Sequence, residues 1–189
     1  MTIHFHDLIS DTNILSALTS EGYTSPTPVQ AQTIPPALAN KDIMASAQTG
    51  SGKTAAFLLP TLQRLATRSD KPGKGPRALV LTPTRELAAQ VEKNAQSYSQ
   101  NMPWFRTTSL VGGSSFGQQI RALSKPIDII VATPGRLMDH MRSGRIDFDR
   151  LEVLILDEAD RMLDMGFIED IETIVAATPK DRQTLLFSA

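Results

Sequence analysis

The chain is 189 residues long, 41% hydrophobic and 21% charged, which is the size and balance of one compact domain. It contains no cysteine, so a disulfide framework, a cysteine nucleophile and a thiolate zinc site are excluded. With 19 basic and 20 acidic residues the net charge is −1, so nucleic acid cannot be held by bulk charge and any such site must be focal.

The longest unbroken apolar run, Ala55 to Leu59, is far short of the ~20 residues of a membrane helix. Met1 to Asp7 lack the basic and apolar regions of a secretory signal, and a cytoplasmic location is expected. In chain order, helical patterns at about 11–20 and 28–39 precede a strand at Ile43–Ser46. A helix at about 53–68 is followed by a loop, Arg68 to Arg77, that holds two prolines and two glycines and reads as solvated surface. Strands at Ala78–Thr82, Thr107–Val111, Asp128–Ala132, Val153–Leu156 and Thr184–Phe187 then alternate with helices at about 84–98, 115–124, 135–142 and 168–177. Thr84 and Thr133 stand at N-cap positions.

Several of these strands lack polar alternation, as do strands buried on both faces of a parallel sheet. The expected fold is a doubly wound α/β domain with a mostly parallel sheet between two helical layers and right-handed crossovers. Polar or glycine-bearing clusters follow the strands. A parallel sheet brings such points to one edge, where open α/β folds bind ligands.

Gly50-Ser51-Gly52-Lys53-Thr54 follows the first strand and opens a helix, the setting of a phosphate-binding loop. Its glycines let backbone N–H groups converge on phosphate oxygens, and the helix N-terminus adds free donors. Lys53 is suited to the β and γ phosphates and Thr54 to Mg²⁺. The general pattern starts with glycine, whereas Ala47 stands here. Asp157 and Glu158 end the Val153–Leu156 strand, suited to Mg²⁺ through water and to the attacking water respectively. Together the two clusters point to hydrolysis of a nucleoside triphosphate. No Asn-Lys-x-Asp motif follows the loop, which favours adenine over guanine.

With these residues the chain resembles the DEAD-box family of ATP-dependent RNA helicases over essentially its whole length. Asp157-Glu158-Ala159-Asp160 is the motif that names the family, and Ala47 to Thr54, AQTGSGKT, is similar to its phosphate loop. Gly22 to Gln30 resembles the Q motif, with Phe5 placed 17 residues before Gly22 as the upstream aromatic. PTRELA from Pro83, the pair Gly112-Gly113 and TPGR from Thr133 follow in family order, and Arg161 to Phe167 resembles bacterial, RhlE-like members.

The resemblance implies a RecA-like domain that binds ATP or ADP with Mg²⁺. It places Phe5, Tyr23, Gln30, Gln48, Thr49, Gly50, Ser51, Gly52, Lys53 and Thr54 around the nucleotide. Phe5 would stack on the base and Gln30 would hydrogen-bond adenine. Thr27-Pro28-Val29-Gln30 is also a capping box, which competes for the same amide. Pro83, Thr84, Arg85, Gly112, Gly113, Thr133, Pro134, Gly135 and Arg136 are implied to grip an RNA backbone, with little sequence preference. Asp160 and Ser188 are implied to couple the two sites. His4, His6, His140 and Trp104 read as surface or packing residues.

In the family a second RecA-like domain follows and supplies arginines and half the RNA groove. The chain is therefore expected to act as a monomeric first half, slow in hydrolysis and weak on RNA alone. A non-catalytic ATP-switched clamp and a DNA-acting helicase of the same superfamily are the rival readings.

Overall fold

The computed structural model describes residues 1–189. Six strands, β1 (Ile43–Ser46), β2 (Ala78–Leu81), β3 (Thr107–Leu110), β4 (Ile129–Ala132), β5 (Val153–Leu156) and β6 (Gln183–Ser188), form one sheet in the order β1-β6-β5-β2-β4-β3. Every pairing is parallel. Nine helices surround it: α1 (Phe5–Leu8), α2 (Thr12–Ser20), α3 (Pro28–Leu38), α4 (Lys53–Leu65), α5 (Arg85–Tyr98), α6 (Phe116–Leu123), α7 (Pro134–Arg142), α8 (Ala159–Asp164) and α9 (Ile168–Ala177). The expected α/β class and parallel sheet are borne out. Sequence periodicity missed only α1 and α8, each too short to develop a helical repeat.

The apolar strands divide their side chains between two cores because successive residues face opposite ways. Ala78, Val80, Ile129, Val131, Val153, Ile155, Leu185 and Phe187 join the α2, α3, α4 and α5 side chains on one face. Leu79, Leu81, Ile130, Ala132, Leu154 and Leu156 meet α7, α8 and α9 on the other. Strands β2, β4 and β5 are buried at every position, which accounts for their unbroken hydrophobicity. β1 lies at the sheet edge, where Met44 is 83% exposed.

Arg77 departs from the solvated loop expected over 68–77. Its side chain is buried, with Nε 2.7 Å from Glu152 Oε2 and Nη1 donating to the carbonyls of Leu65 and Thr67 at 3.0 and 2.8 Å. A guanidinium thus satisfies carbonyls at the C-terminal end of α4, where backbone acceptors lack intrahelical partners.

α4 carries the phosphate loop, and Phe57 anchors it. The ring is fully buried, 5.4 Å from that of Phe187 on β6. Phe57→Ala is expected to destabilise the chain by about 3–5 kcal/mol in chemical denaturation. A loss below about 1 kcal/mol would contradict this packing.

Candidate functional site

The strand order sorts the motifs into two groups that the chain order interleaves. β1, β6 and β5 are neighbours, and they end in the phosphate loop, Ser188 and Asp157-Glu158. β2, β4 and β3 are neighbours, and they end in Pro83-Thr84-Arg85, Thr133 to Arg136 and Gly112-Gly113. All six ends open on the carboxyl edge.

The phosphate loop runs between β1 and α4. Ala47 N–H donates to Ser188 O and Ser51 N–H to Gln48 O, which closes a turn. Gly50 and Gly52 take φ of 80° and 90°, the left-handed region that glycine enters without strain. The N–H groups of Gly50, Gly52, Lys53 and Thr54 find no acceptor in the protein. Thr27 Oγ1 and Ser51 Oγ are likewise buried without partners. These orphaned groups, with the Lys53 ammonium, fit a polyphosphate. Lys53 Nζ itself donates to Ser188 O at 3.3 Å, a direct tie between the loop and the residue expected to couple the sites.

A cleft of about 410 Å³ joins this loop to the acidic pair, lined by Tyr23, Gln30, Lys53, Thr54, Asp157 and Glu158 among others. A larger groove of about 680 Å³ lies between α3 and β1; its lining holds Ser51 but no ionisable side chain. Gln48 and Thr49 are exposed on the loop.

Asp157 is 5% exposed, and its N–H donates to Leu81 O on β2 at 2.9 Å. Burial, then the neighbouring Glu158 charge, pushes its carboxyl up to about 6 against the opposing pull of Lys53. Glu158 takes φ 52° and ψ 50°, a left-handed conformation that costs a non-glycine residue about 1 kcal/mol. Its Oε2 lies 3.4 Å from Arg161 Nη1. Among the chain's side chains no group of three or more His, Cys, Asp or Glu comes together to hold a metal. Thr54, Asp157 and Glu158 all bring oxygen atoms to the cleft, a set that fits Mg²⁺, which keeps much of its water and uses few protein ligands.

Gln30 is buried and its amide is engaged twice. Oε1 accepts from Thr27 N–H at 2.9 Å, as expected for the cap, and Nε2 donates to Gly52 O at 3.1 Å. The Phe5 ring is 5% exposed, meets Tyr23 edge-on at 6.1 Å and borders a small recess of about 170 Å³ with His4, His6 and Tyr23. Tyr23 and Tyr98 both line the cleft, and their hydroxyls are 2.8 Å apart. Burial and this hydrogen bond push the Tyr98 phenol up, so it stays neutral.

On the other half of the edge, Thr84 caps α5 by accepting from Leu87 N–H at 3.2 Å. Thr133 precedes α7 without forming a side-chain cap. Arg85 is exposed, 2.9 Å from Glu86, and a side chain at Gly113 would come 2.8 Å from Arg85 Nη1. Gly112, Gly113 and Gly135 are exposed, whereas Pro83 and Pro134 are buried. Arg136 Nη1 donates to Ser114 O at 3.1 Å, joining the TPGR turn to the glycine loop. Asp160 is exposed in the first turn of α8 and makes no hydrogen bond or ion pair. Sequence reading missed Gln119 and assigned His140 to surface or packing. Both are buried beside Arg136.

Fold and phosphate loop together define a RecA-like α/β domain of the P-loop type. The family model described as DEAD/DEAH box helicase matches residues 27–189, and the chain belongs to that family. It is 50% identical over 185 residues to the ATP-dependent RNA helicase DeaD of Escherichia coli (strain K12), an alignment that covers 98% of this chain and 29% of that protein. Identity to the DEAD-box ATP-dependent RNA helicase CshA of Bacillus subtilis (strain 168) is 44%, over 100% of this chain and 37% of the relative. A probable ATP-dependent RNA helicase of Dictyostelium discoideum is 50% identical over 98% of this chain and 24% of its own length. The chain thus spans well under half of each relative.

Two outcomes test this geometry. A Cβ at Gly52 would collide with Gln30 Nε2 and lie 3.0 Å from Thr27 Oγ1, whereas one at Gly50 would meet nothing within 4 Å. Gly52→Ala is therefore expected to weaken ADP binding at least about tenfold more than Gly50→Ala by calorimetry, and equal losses would contradict the close Gln30 contact. The second concerns pH. The folded-state pKa of Asp157, about 6, exceeds the unfolded value of about 3.9, so the folded chain binds more protons between them and loses stability as pH rises through that window. Asp157→Asn removes this penalty. In metal-free buffer its stability relative to wild type, read by chemical denaturation, should rise from pH 4 to pH 7 by at most about 3 kcal/mol. A pH-independent difference would refute the raised pKa.

Proposed function

We propose that this chain is the ATP-binding RecA-like domain of an ATP-dependent RNA helicase, holding Mg-ATP or ADP and one side of a single-stranded RNA backbone. The adjacency of the phosphate loop, Ser188 and Asp157-Glu158 on β1, β6 and β5, beside the β2, β4 and β3 ends, carries this reading. The names of its relatives, ATP-dependent RNA helicases, support it.

On this reading the free N–H groups of Gly50, Gly52, Lys53 and Thr54 bind the phosphates, and Lys53 leaves Ser188 O to join them. Thr54 and Asp157 hold Mg²⁺, which when bound offsets charge on the phosphate oxygens. Glu158 orients the attacking water and accepts its proton. Tyr23 flanks the base. Gln30 recognises adenine by turning from the Gly52 carbonyl or with its remaining donor and lone pair. Thr133, Gly112, Gly113, Arg85 and Arg136 meet phosphate and 2′-hydroxyl groups, contacts that ignore base identity. A second RecA-like domain, outside this chain, supplies transition-state arginines worth about 10³–10⁵ in rate.

The test is ATP turnover with and without single-stranded RNA or DNA, alongside calorimetric ADP binding. Wild type and Glu158→Gln should both bind ADP with Mg²⁺, turnover by this chain should be marginal, and joining the second domain should restore hydrolysis stimulated by RNA over DNA. Failure to bind ADP would overturn the nucleotide site. Brisk turnover by this chain, abolished in Glu158→Gln, would overturn the division of catalysis between two domains.

A further inference from the structure

The carboxyl edge holds a buried polar cluster that none of the roles above uses. Gln119 on α6 is 6% exposed and His140 on α7 is fully buried. Gln119 Nε2 donates to Val111 O at 2.9 Å, immediately before Gly112-Gly113. That bond fixes the amide, since a carbonyl only accepts, and leaves Oε1 as an acceptor facing α7. Two groups converge on Oε1: Arg136 Nη1 at 3.2 Å and His140 Nε2 at 2.7 Å. His140 must then carry its proton on Nε2, and its Nδ1 is buried without a partner.

Stacking completes the cluster. The Phe116 ring lies parallel to that of His140, 4.2 Å between centroids, and the Arg136 guanidinium carbon sits 5.5 Å from the Phe116 centroid. Both Nη1 protons of Arg136 are committed, to Ser114 O and Gln119 Oε1. Nε lies 3.8 Å from Asp139 Oδ2, and Nη2 makes no hydrogen bond within the protein. A free surface arginine gives up rotamer freedom when it is fixed on a ligand. Here the protein has already restricted it, and the group left over is a donor pair.

We propose that Gln119 and His140 are positioning residues for RNA binding: the His140–Gln119 pair locks Arg136 against the Gly112-Gly113 loop and presents Nη2 to a backbone phosphate. The proposal rests on the reading of Arg136 as an RNA contact. One amide serves both partners of the grip, holding the loop through Val111 O and the arginine through Oε1. The Val111 carbonyl stops the amide from rotating, because the flipped amide would set Oε1 against another acceptor, and His140 Nε2 then holds Oε1 on the α7 side. Phe116 fixes the imidazole plane.

The experiment is a double-mutant cycle in this chain, read by anisotropy of a fluorescein-labelled oligouridylate at low salt with Mg²⁺ and a non-hydrolysable ATP analogue. Arg136→Ala should weaken RNA binding about tenfold. Gln119→Leu and His140→Phe should each weaken it about three- to tenfold, and less than about twofold further when combined with Arg136→Ala. ADP affinity should stay within about twofold in both variants, since neither side chain reaches the nucleotide cleft. An unchanged Arg136→Ala would overturn the RNA role of Arg136 and the proposal with it. A weakened Arg136→Ala together with innocuous or fully multiplicative Gln119→Leu and His140→Phe losses would overturn positioning alone, leaving the RNA reading intact.

Should Gln119→Leu fail to fold, Gln119→Glu and His140→Phe decide the question through the ¹⁵Nε–H signal of Arg136. Gln119→Glu keeps an acceptor for Arg136 and His140 and should retain slow exchange with water, whereas His140→Phe should accelerate it. Equal exchange in wild type, Gln119→Glu and His140→Phe would overturn the proposal.

Discussion

Parallel pairing of all six strands is the constraint on which the rest depends. A parallel ladder points every strand's carboxyl end to the same edge, and each strand that returns must do so through a helix on one face. The loops at that edge join strand ends to helix starts, so they gather unpaired N–H donors. The free amides of Gly50, Gly52, Lys53 and Thr54 follow from this geometry, as does the placing of Thr84 and Thr133 at helix N-caps. Burial of both sheet faces supplies the rigidity. Phe57 and Phe187 tie α4 to β6, so the phosphate loop is mounted on the core and not on a free turn.

The same burial sets the electrostatics. Asp157 emerges from a strand without one exposed position, and water is scarce around its carboxyl. The desolvation that raises its pKa also strengthens its attraction to any cation that enters. Glu158, one residue on in a left-handed backbone, is half-buried and lies beside Arg161, so the two carboxylates receive different surroundings. Environments that differ between neighbouring carboxylates are how one site separates a metal-holding group from a base.

Much of this was legible in the sequence, for identifiable reasons. Strand positions followed from continuous Val, Ile and Leu runs, and the phosphate loop and the DEAD string are local patterns that tertiary structure does not alter. The strand order was not legible, because no local signal tells β6 to insert between β1 and β5 or β4 between β2 and β3. The setting of Phe5 was not legible for a similar reason. An aromatic that stacks on a base and one that pins a helix look alike in sequence, and only the folded chain shows that Phe5 sits in the core beside Tyr23. His140 lies 21 residues from Gln119, and no spacing rule brings an imidazole, an amide and an arginine together across two helices.

The two halves of the edge meet where β5 pairs with β2. Asp157 N–H donates to the carbonyl of Leu81, two residues before Pro83, and Thr82 N–H donates to Ala132 O, next to Thr133. Ser188 stands on the opposite flank of β5 and accepts from both Ala47 N–H and Lys53 Nζ. Binding that draws Lys53 towards phosphate must exchange the Ser188 bond, and binding that draws Gln30 towards a base must release Gly52 O. Each exchange substitutes one satisfied polar contact for another, so its net energy is small compared with the gross strength of either bond. The strands between the halves are fully buried and tightly paired, and they resist internal deformation.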